Sequence, residues 1–142
     1  GNMIDLEKET ERVILVGVSV TDEDDTQKSL EELKDLASTA GADTVGVVIQ
    51  NREQVHPGTY VGKGKIEEIK DLLWELEATG IICDDELTSV QLRNLEEELQ
   101  CKVIDRTLLI LDIFAKVMDR TLVILDIFAS RASTSEGKIQ VN

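Results

Sequence analysis

The turn Tyr60-Val61-Gly62-Lys63-Gly64-Lys65 stands immediately before a run with helical periodicity, and that combination can hold a phosphate group. Glycines allow close backbone approach, a helix start presents free N–H groups, and two lysines add positive charge. The spacing is not the G-x-x-x-x-G-K-[ST] of a P-loop, and no Ser or Thr follows to hold magnesium. A glycine turn with solvated lysines is an equal reading of the same residues. Carboxylates form the second candidate group. Asp84, Asp85 and Asp105 fall at the ends of expected strands and can converge on a divalent cation. Acids after a strand more often cap the next helix, so no metal site is expected and Asp84 and Asp105 stay weak candidates. His56, the only histidine, sits beside Pro57 with no Ser or Cys placed to pair with it, and reads as a loop residue. Cys83 and Cys101 lack metal-ligand spacing and read as buried thiols. Trp74 reads as half-buried packing rather than a platform for bases. No catalytic residue is expected.

These residues need elements to position them. Residues 12–18 (RVILVGV) form a continuous β-branched run, the pattern of a strand buried on both faces. The acids of residues 22–25 then supply a cap. A helix over 26–40 follows, with Leu30, Leu33, Leu36, Ala37 and Ala40 on one stripe and Gly41 as its stop. The cycle repeats as a strand over 44–50, a long loop through Pro57 to Gly64, and a helix over 65–78 ended by Gly80. A third cycle has a strand over 81–83, a cap at Thr88 or Ser89, and a helix reaching Gln100. A fourth strand spans 101–104. Strands alternating with helices predict an α/β fold: a parallel four-stranded sheet joined by right-handed crossovers, with helices on both faces.

Residues 102–115 (KVIDRTLLILDIFA) recur at once as residues 116–129 (KVMDRTLVILDIFA), differing only at Ile104/Met118 and Leu109/Val123. This is a tandem duplication. In the first copy KVIDR predicts a strand and Thr107 the cap of the following helix. Two fates are open for the second. It can form a further short strand over 116–118, either added at the sheet edge or replacing the first copy, which then loops out. Alternatively the helix runs unbroken from 107 to 132, because fourteen residues are close to four helical turns and no Gly or Pro intervenes. The long helix leaves Leu108, Ile110, Leu111, Phe114 and their repeats uncovered, which predicts a homo-oligomer.

At 142 residues the chain fits one domain of ordinary size. With only 3% aromatic residues, its core must be aliphatic. The formal charge of -14 argues for a soluble cytoplasmic protein and against gripping nucleic acid by overall field, so any RNA contact must be local. Asp112, Lys116, Asp119, Arg120 and Asp126 interrupt the longest apolar stretch, so no membrane span is expected. No signal peptide is read at the start, and Gly1 and Asn2 before Met3 read as a cloning remnant.

The order of several segments resembles the N-terminal domain of the HflX GTPases: residues 61–65 (VGKGK) before a helix, 82–87 (ICDDEL), 103–107 (VIDRT), 110–115 (ILDIFA) and 131–141 (RASTSEGKIQV). The resemblance covers nearly everything after residue 10, although the family pattern carries one KVIDRTxLILDIFA block where this chain has two. It implies an α/β domain that contacts the large ribosomal subunit and leads through a helical linker to a G domain. The expected organisation is a remnant and tail over 1–10, the domain over 11–115, the duplicate over 116–129, and the start of the linker over 130–142. GTP and magnesium are implied only for the absent G domain. The fragment itself, without a Walker motif, is expected to need no cofactor and not to hydrolyse GTP. The expected function is docking to rRNA through Gly62, Lys63, Gly64, Lys65, Arg131 and Lys138. Two alternatives stand beside it: ATP or GTP binding at the glycine-lysine loop, and a chain whose duplication leaves mainly structural and oligomerisation behaviour.

Overall fold

The computed structural model describes residues 10–21 and 25–140, with residues 132–140 as backbone alone. The expected N-terminal remnant, the acids at residues 22–24 and the side chain of Lys138 lie outside the described residues. The chain forms two units, the first running to Ile110 and the second beginning at Leu111.

The element order is β1 (Arg12–Ser19), α1 (Thr26–Thr39), β2 (Asp43–Asn51), α2 (Lys63–Glu75), β3 (Gly80–Cys83), α3 (Ser89–Leu99), β4 (Lys102–Asp105) and α4 (Arg106–Gln140). The four strands make one sheet in the order β2-β1-β3-β4, and every neighbouring pair is parallel. The α/β fold with a four-stranded parallel sheet is the one expected. Parallel pairing requires crossovers, and each is supplied by an amphipathic helix. Ile14, Val16 and Val18 of β1 pack with Ile66, Ile69 and Leu73 of α2 and with Leu95 and Leu99 of α3. The opposite face carries α1. There Gly17 lies so close to the helix that an added Cβ would stand 3.1 Å from Leu30 Cδ1 and 3.2 Å from Thr26 Cγ2.

The helix ends correct several expectations. Asp25 precedes α1 without a side-chain capping bond. Gly41 does turn the chain after α1, with φ +90. Gly80 does not end α2: the helix stops at Glu75, and Glu77 makes the left-handed turn with φ 51. Gly80 opens β3 instead, where a Cβ would meet the Lys102 carbonyl oxygen of the neighbouring strand at 2.6 Å. At α3 the cap is Thr88. Its Oγ1 accepts from the Gln91 N–H at 3.0 Å while Gln91 Oε1 accepts from the Thr88 N–H at 2.9 Å, a reciprocal capping box. Thr107 does not cap α4, since the helix starts one residue earlier and Asp105 Oδ1 accepts from the Leu108 N–H at 2.9 Å. Trp74 is 86% exposed rather than half-buried. Leu73, Ile69 and Ile66 form the inward stripe of α2, and position 74 falls outside it.

The two copies of the duplicated block take different structures. Lys102–Asp105 of the first is β4, paired with β3 from Gly80↔Lys102 to Cys83↔Asp105. The corresponding residues of the second lie inside the continuous helix α4. Of the two fates open to it, the unbroken helix is observed, and it extends past 132 to Gln140. No helix among the described residues is long and apolar enough to cross a membrane.

Candidate functional site

The glycine-lysine turn is held from two sides. His56 Nδ1 accepts from the Gly58 N–H at 3.0 Å and the Thr59 N–H at 3.1 Å, so this ring nitrogen is an acceptor that folds the loop on itself. From α3, Gln91 Nε2 donates to the His56 carbonyl at 2.8 Å and Asn94 Nδ2 donates to the Gly58 carbonyl at 2.9 Å. His56 is thus the loop residue expected, with a definite structural task. Tyr60 then enters with φ 68, an uncommon conformation for a bulky residue. Its ring is 1% exposed and its hydroxyl donates to Asp85 Oδ2 at 2.6 Å. Burial, reinforced by the Asp85 bond, pushes the phenol above its ordinary range, so it stays a neutral donor.

After this anchor the chain reaches Gly62, the N-cap of α2, with φ -73 and ψ 167. The Gly62 N–H donates to Gln50 Oε1 at 2.8 Å. Glycine has no side chain to cap the helix, so the N–H groups of Lys63, Gly64 and Lys65 receive no bond from that position. An added Cβ at Gly62 would lie 2.7 Å from an Arg52 guanidinium nitrogen. Arg52 is therefore packed against the turn, steadied by its Nε donating to the Gln54 carbonyl at 3.0 Å. Lys63 is exposed, and a Cβ on Gly64 would meet nothing within 4 Å. Lys65 is less available, because its Nζ pairs with Glu68 at 3.3 Å. The structure thus brings Gly62, Lys63, Gly64 and Lys65 together and adds Arg52, which the sequence places only at the end of a strand.

The other expected residues lie elsewhere. Arg131 is exposed on α4, in the second unit, and Lys138 is known only by its helical backbone. Asp84 and Asp105 sit at the carboxyl ends of β3 and β4, where both are committed to structure. Asp84 Oδ1 pairs with Arg106 Nη2 at 2.7 Å, and the same nitrogen donates to the Ser29 carbonyl at 2.8 Å and hydroxyl at 3.0 Å. Asp105, 1% exposed, accepts from the Leu87 N–H at 2.8 Å through Oδ2 and from the Leu108 N–H through Oδ1. No group of three His, Cys, Asp or Glu among the described residues can hold a metal ion. Protein donors already engage both Asp105 oxygens and Asp84 Oδ1, so these carboxylates serve the hydrogen bonds of the fold.

The strand order reverses between β1 and β3, where open parallel sheets leave a crevice. A crevice of about 390 Å³ is found there, lined by Val18, Val20, Asp25, Thr26, Ser29, Val55, Asp84 and Asp85. A neighbouring one of about 340 Å³ lies over the ends of β1 and β2, with Ser19, Thr21, Asn51, Arg52 and Glu53 on its walls. Neither cysteine supplies a nucleophile. Cys83 is fully buried, and its burial pushes the thiol up; Cys101 is only half-buried, which corrects the expectation, and its thiol is pushed up to about 11, mainly by burial and then by Glu96.

The sequence pattern of the family described as GTP-binding GTPase N-terminal matches residues 27–115. GTPase HflX of Lacrimispora saccharolytica is 62% identical over 139 residues, covering 98% of this chain and 30% of its own length. GTPase HflX of Escherichia coli strain K12 is 38% identical over 131 residues, covering 92% of this chain and 27% of its own length. The chain therefore spans under a third of the length of these curated relatives. Among solved structures, a GTP-binding protein from the hyperthermophilic archaeon Sulfolobus solfataricus in complex with GDP aligns with TM-score 0.56 and 23% identity, over 73% of this chain and 30% of that one. The complex of SsGBP and GDP gives TM-score 0.58 at 23% identity, over 73% of this chain and 29% of that one. These likenesses bear on the fold.

Proposed function

Because the chain belongs to the HflX family of GTPases and matches its N-terminal domain, we propose that it is a docking domain that seats the protein on rRNA of the large ribosomal subunit. The observation that supports this reading is the cationic turn. Arg52, Lys63 and Lys65 surround a helix start whose N-cap carries no side chain. Exposed phosphate finds there both guanidinium and ammonium donors and oriented backbone N–H groups. The rest of the protein repels nucleic acid, given a formal charge of -14. Recognition must therefore be local and orienting, with few phosphates contacted. Arg131 and Lys138 belong to the second unit and form a separate contact with its own test. GTP hydrolysis, with the GTP and magnesium it uses, is assigned to the remaining part of the full-length protein. The setting is cytoplasmic.

Co-sedimentation with purified large ribosomal subunits over a salt series tests the proposal. With about three phosphates engaged, the logarithm of affinity should fall with a slope of about -2 against the logarithm of salt. Charge reversal of Arg52 and Lys63 together should lower binding by at least about tenfold. Gly62→Ala is the finer probe: its methyl displaces the Arg52 guanidinium tip while the N-cap conformation suits alanine, so binding should fall with stability changed by less than about 1 kcal/mol. Unaltered binding by the charge-reversed protein would remove the turn from the docking surface.

A further inference from the structure

The second unit carries a pattern that docking does not explain. From Leu111 to Phe128, the positions alternating by three and four residues are Leu111, Phe114, Met118, Thr121, Leu125 and Phe128. All of them lie in the uninterrupted helix α4. Every charged residue in this stretch falls outside that stripe: Asp112, Asp119 and Asp126 recur at intervals of seven, and Lys116 and Arg120 lie on the same outer side. The fourteen-residue duplication is two heptads long, so it returns each apolar residue to the same face and keeps the seam in register.

The seam is uncovered in the described structure. Leu111 is 57% exposed, Phe114 62%, Met118 54%, Leu125 57% and Phe128 64%. Together with the apolar residues flanking it, the stripe presents on the order of 1,000 Å² of apolar surface, beyond the few hundred that monomers ordinarily leave in one patch. That matches what one partner contributes to a standard interface, about 800 Å². The outer side carries the charges, with Lys116 Nζ and Asp112 Oδ2 paired at 3.0 Å, beside the isolated exposed apolar residues Val123 and Ile127.

Charge selects the occupant. Over 111–131 the three acids Asp112, Asp119 and Asp126 balance the three bases Lys116, Arg120 and Arg131, within a chain whose formal charge is -14. This stretch can approach its own copy without the repulsion that the remainder would impose. We propose that residues 111–128 form a heptad seam that binds the same seam of a second copy of this chain, making the protein a homo-oligomer. The proposal is independent of ribosome docking.

Sedimentation equilibrium of the full chain, well above micromolar concentration, tests it with two variants. The expected mass is a multiple of the 15.8 kDa protomer for the unaltered chain and for Asp119→Ser with Asp126→Ser on the outer side. Met118→Glu with Leu125→Glu should sediment as the protomer, and since both side chains are exposed, its α/β unit stays folded, checked by an unchanged urea midpoint. A protomer mass for the unaltered chain would overturn the proposal. So would an oligomer that survives the inner pair, or one that the outer pair dissociates equally.

Discussion

Two copies of nearly the same fourteen residues sit side by side in this chain and fold differently. In the first, Val103 is buried against the sheet, Asp105 caps two backbone segments, Arg106 clamps Asp84 to Ser29, and Leu109 is 2% exposed. In the second, Val117, Asp119, Arg120 and Val123 all lie exposed on a helix. The local preference of the peptide is common to both, so the difference comes from what surrounds each. The first copy meets the open edge of β3 and pairs with it. That pairing satisfies its backbone and buries one face, whereas the second copy meets no such edge among the described residues of its unit and satisfies its backbone as helix. A strand here is a property of the site more than of the letters.

The comparison can be broken most directly at its aspartates. Asp105→Ala leaves two backbone N–H groups at a buried position without their acceptor, and should destabilise the protein by about 4 kcal/mol in urea unfolding. Its counterpart Asp119→Ala should stay within about 0.5 kcal/mol. Equal effects would mean that the second copy is as embedded as the first. Next in size is the leucine pair. Leu109→Ala empties a packed position and should cost about 3 kcal/mol, against less than about 0.5 kcal/mol for Val123→Ala, whose side chain is 59% exposed.

The smallest expected effect concerns Cys101, next to the first copy. Its thiol is raised from an ordinary value near 9 to about 11, so the folded state favours the protonated form. Any stability tied to it is complete below pH 9 and is lost as pH rises through 11. Near neutral pH, thiolate-dependent alkylation of the folded protein should therefore run roughly 100-fold slower than that of the unfolded chain. Alkylation at the unfolded rate would show that the loop before β4 opens readily.

Much of this was legible in the residues. The aliphatic strand of Arg12–Ser19, the helix stripes and the order of the cycles follow from periodicity alone, and the parallel sheet follows from their alternation. The N-terminal family was legible in the ordered motifs. The helix termini were less so. Asp105 rather than Thr107 caps α4 because its carboxylate, fixed by β4, already faces the helix start, a relation that exists only once the sheet is formed. Glu77 takes the left-handed turn expected of a glycine because the close approach to Lys102 reserves Gly80 for the strand. Arg52 follows β2 with no local motif to mark it, and its place against Gly62 depends on a loop folded by His56 and tied by Gln91 and Asn94, at separations no local pattern encodes. The exposure of Trp74 could have been found by counting its position against Leu73 on the α2 stripe.

The functional account rests on the cations of the first unit rather than those of the second. The direct test is salt-titrated co-sedimentation with large ribosomal subunits, comparing charge reversal of Arg52 and Lys63 with charge reversal of Arg131 and Lys138. Loss of binding from the first pair, with a smaller loss from the second, is the predicted result. Binding that survives reversal at the glycine turn, or that is lost only when the helix cations are reversed, would contradict it.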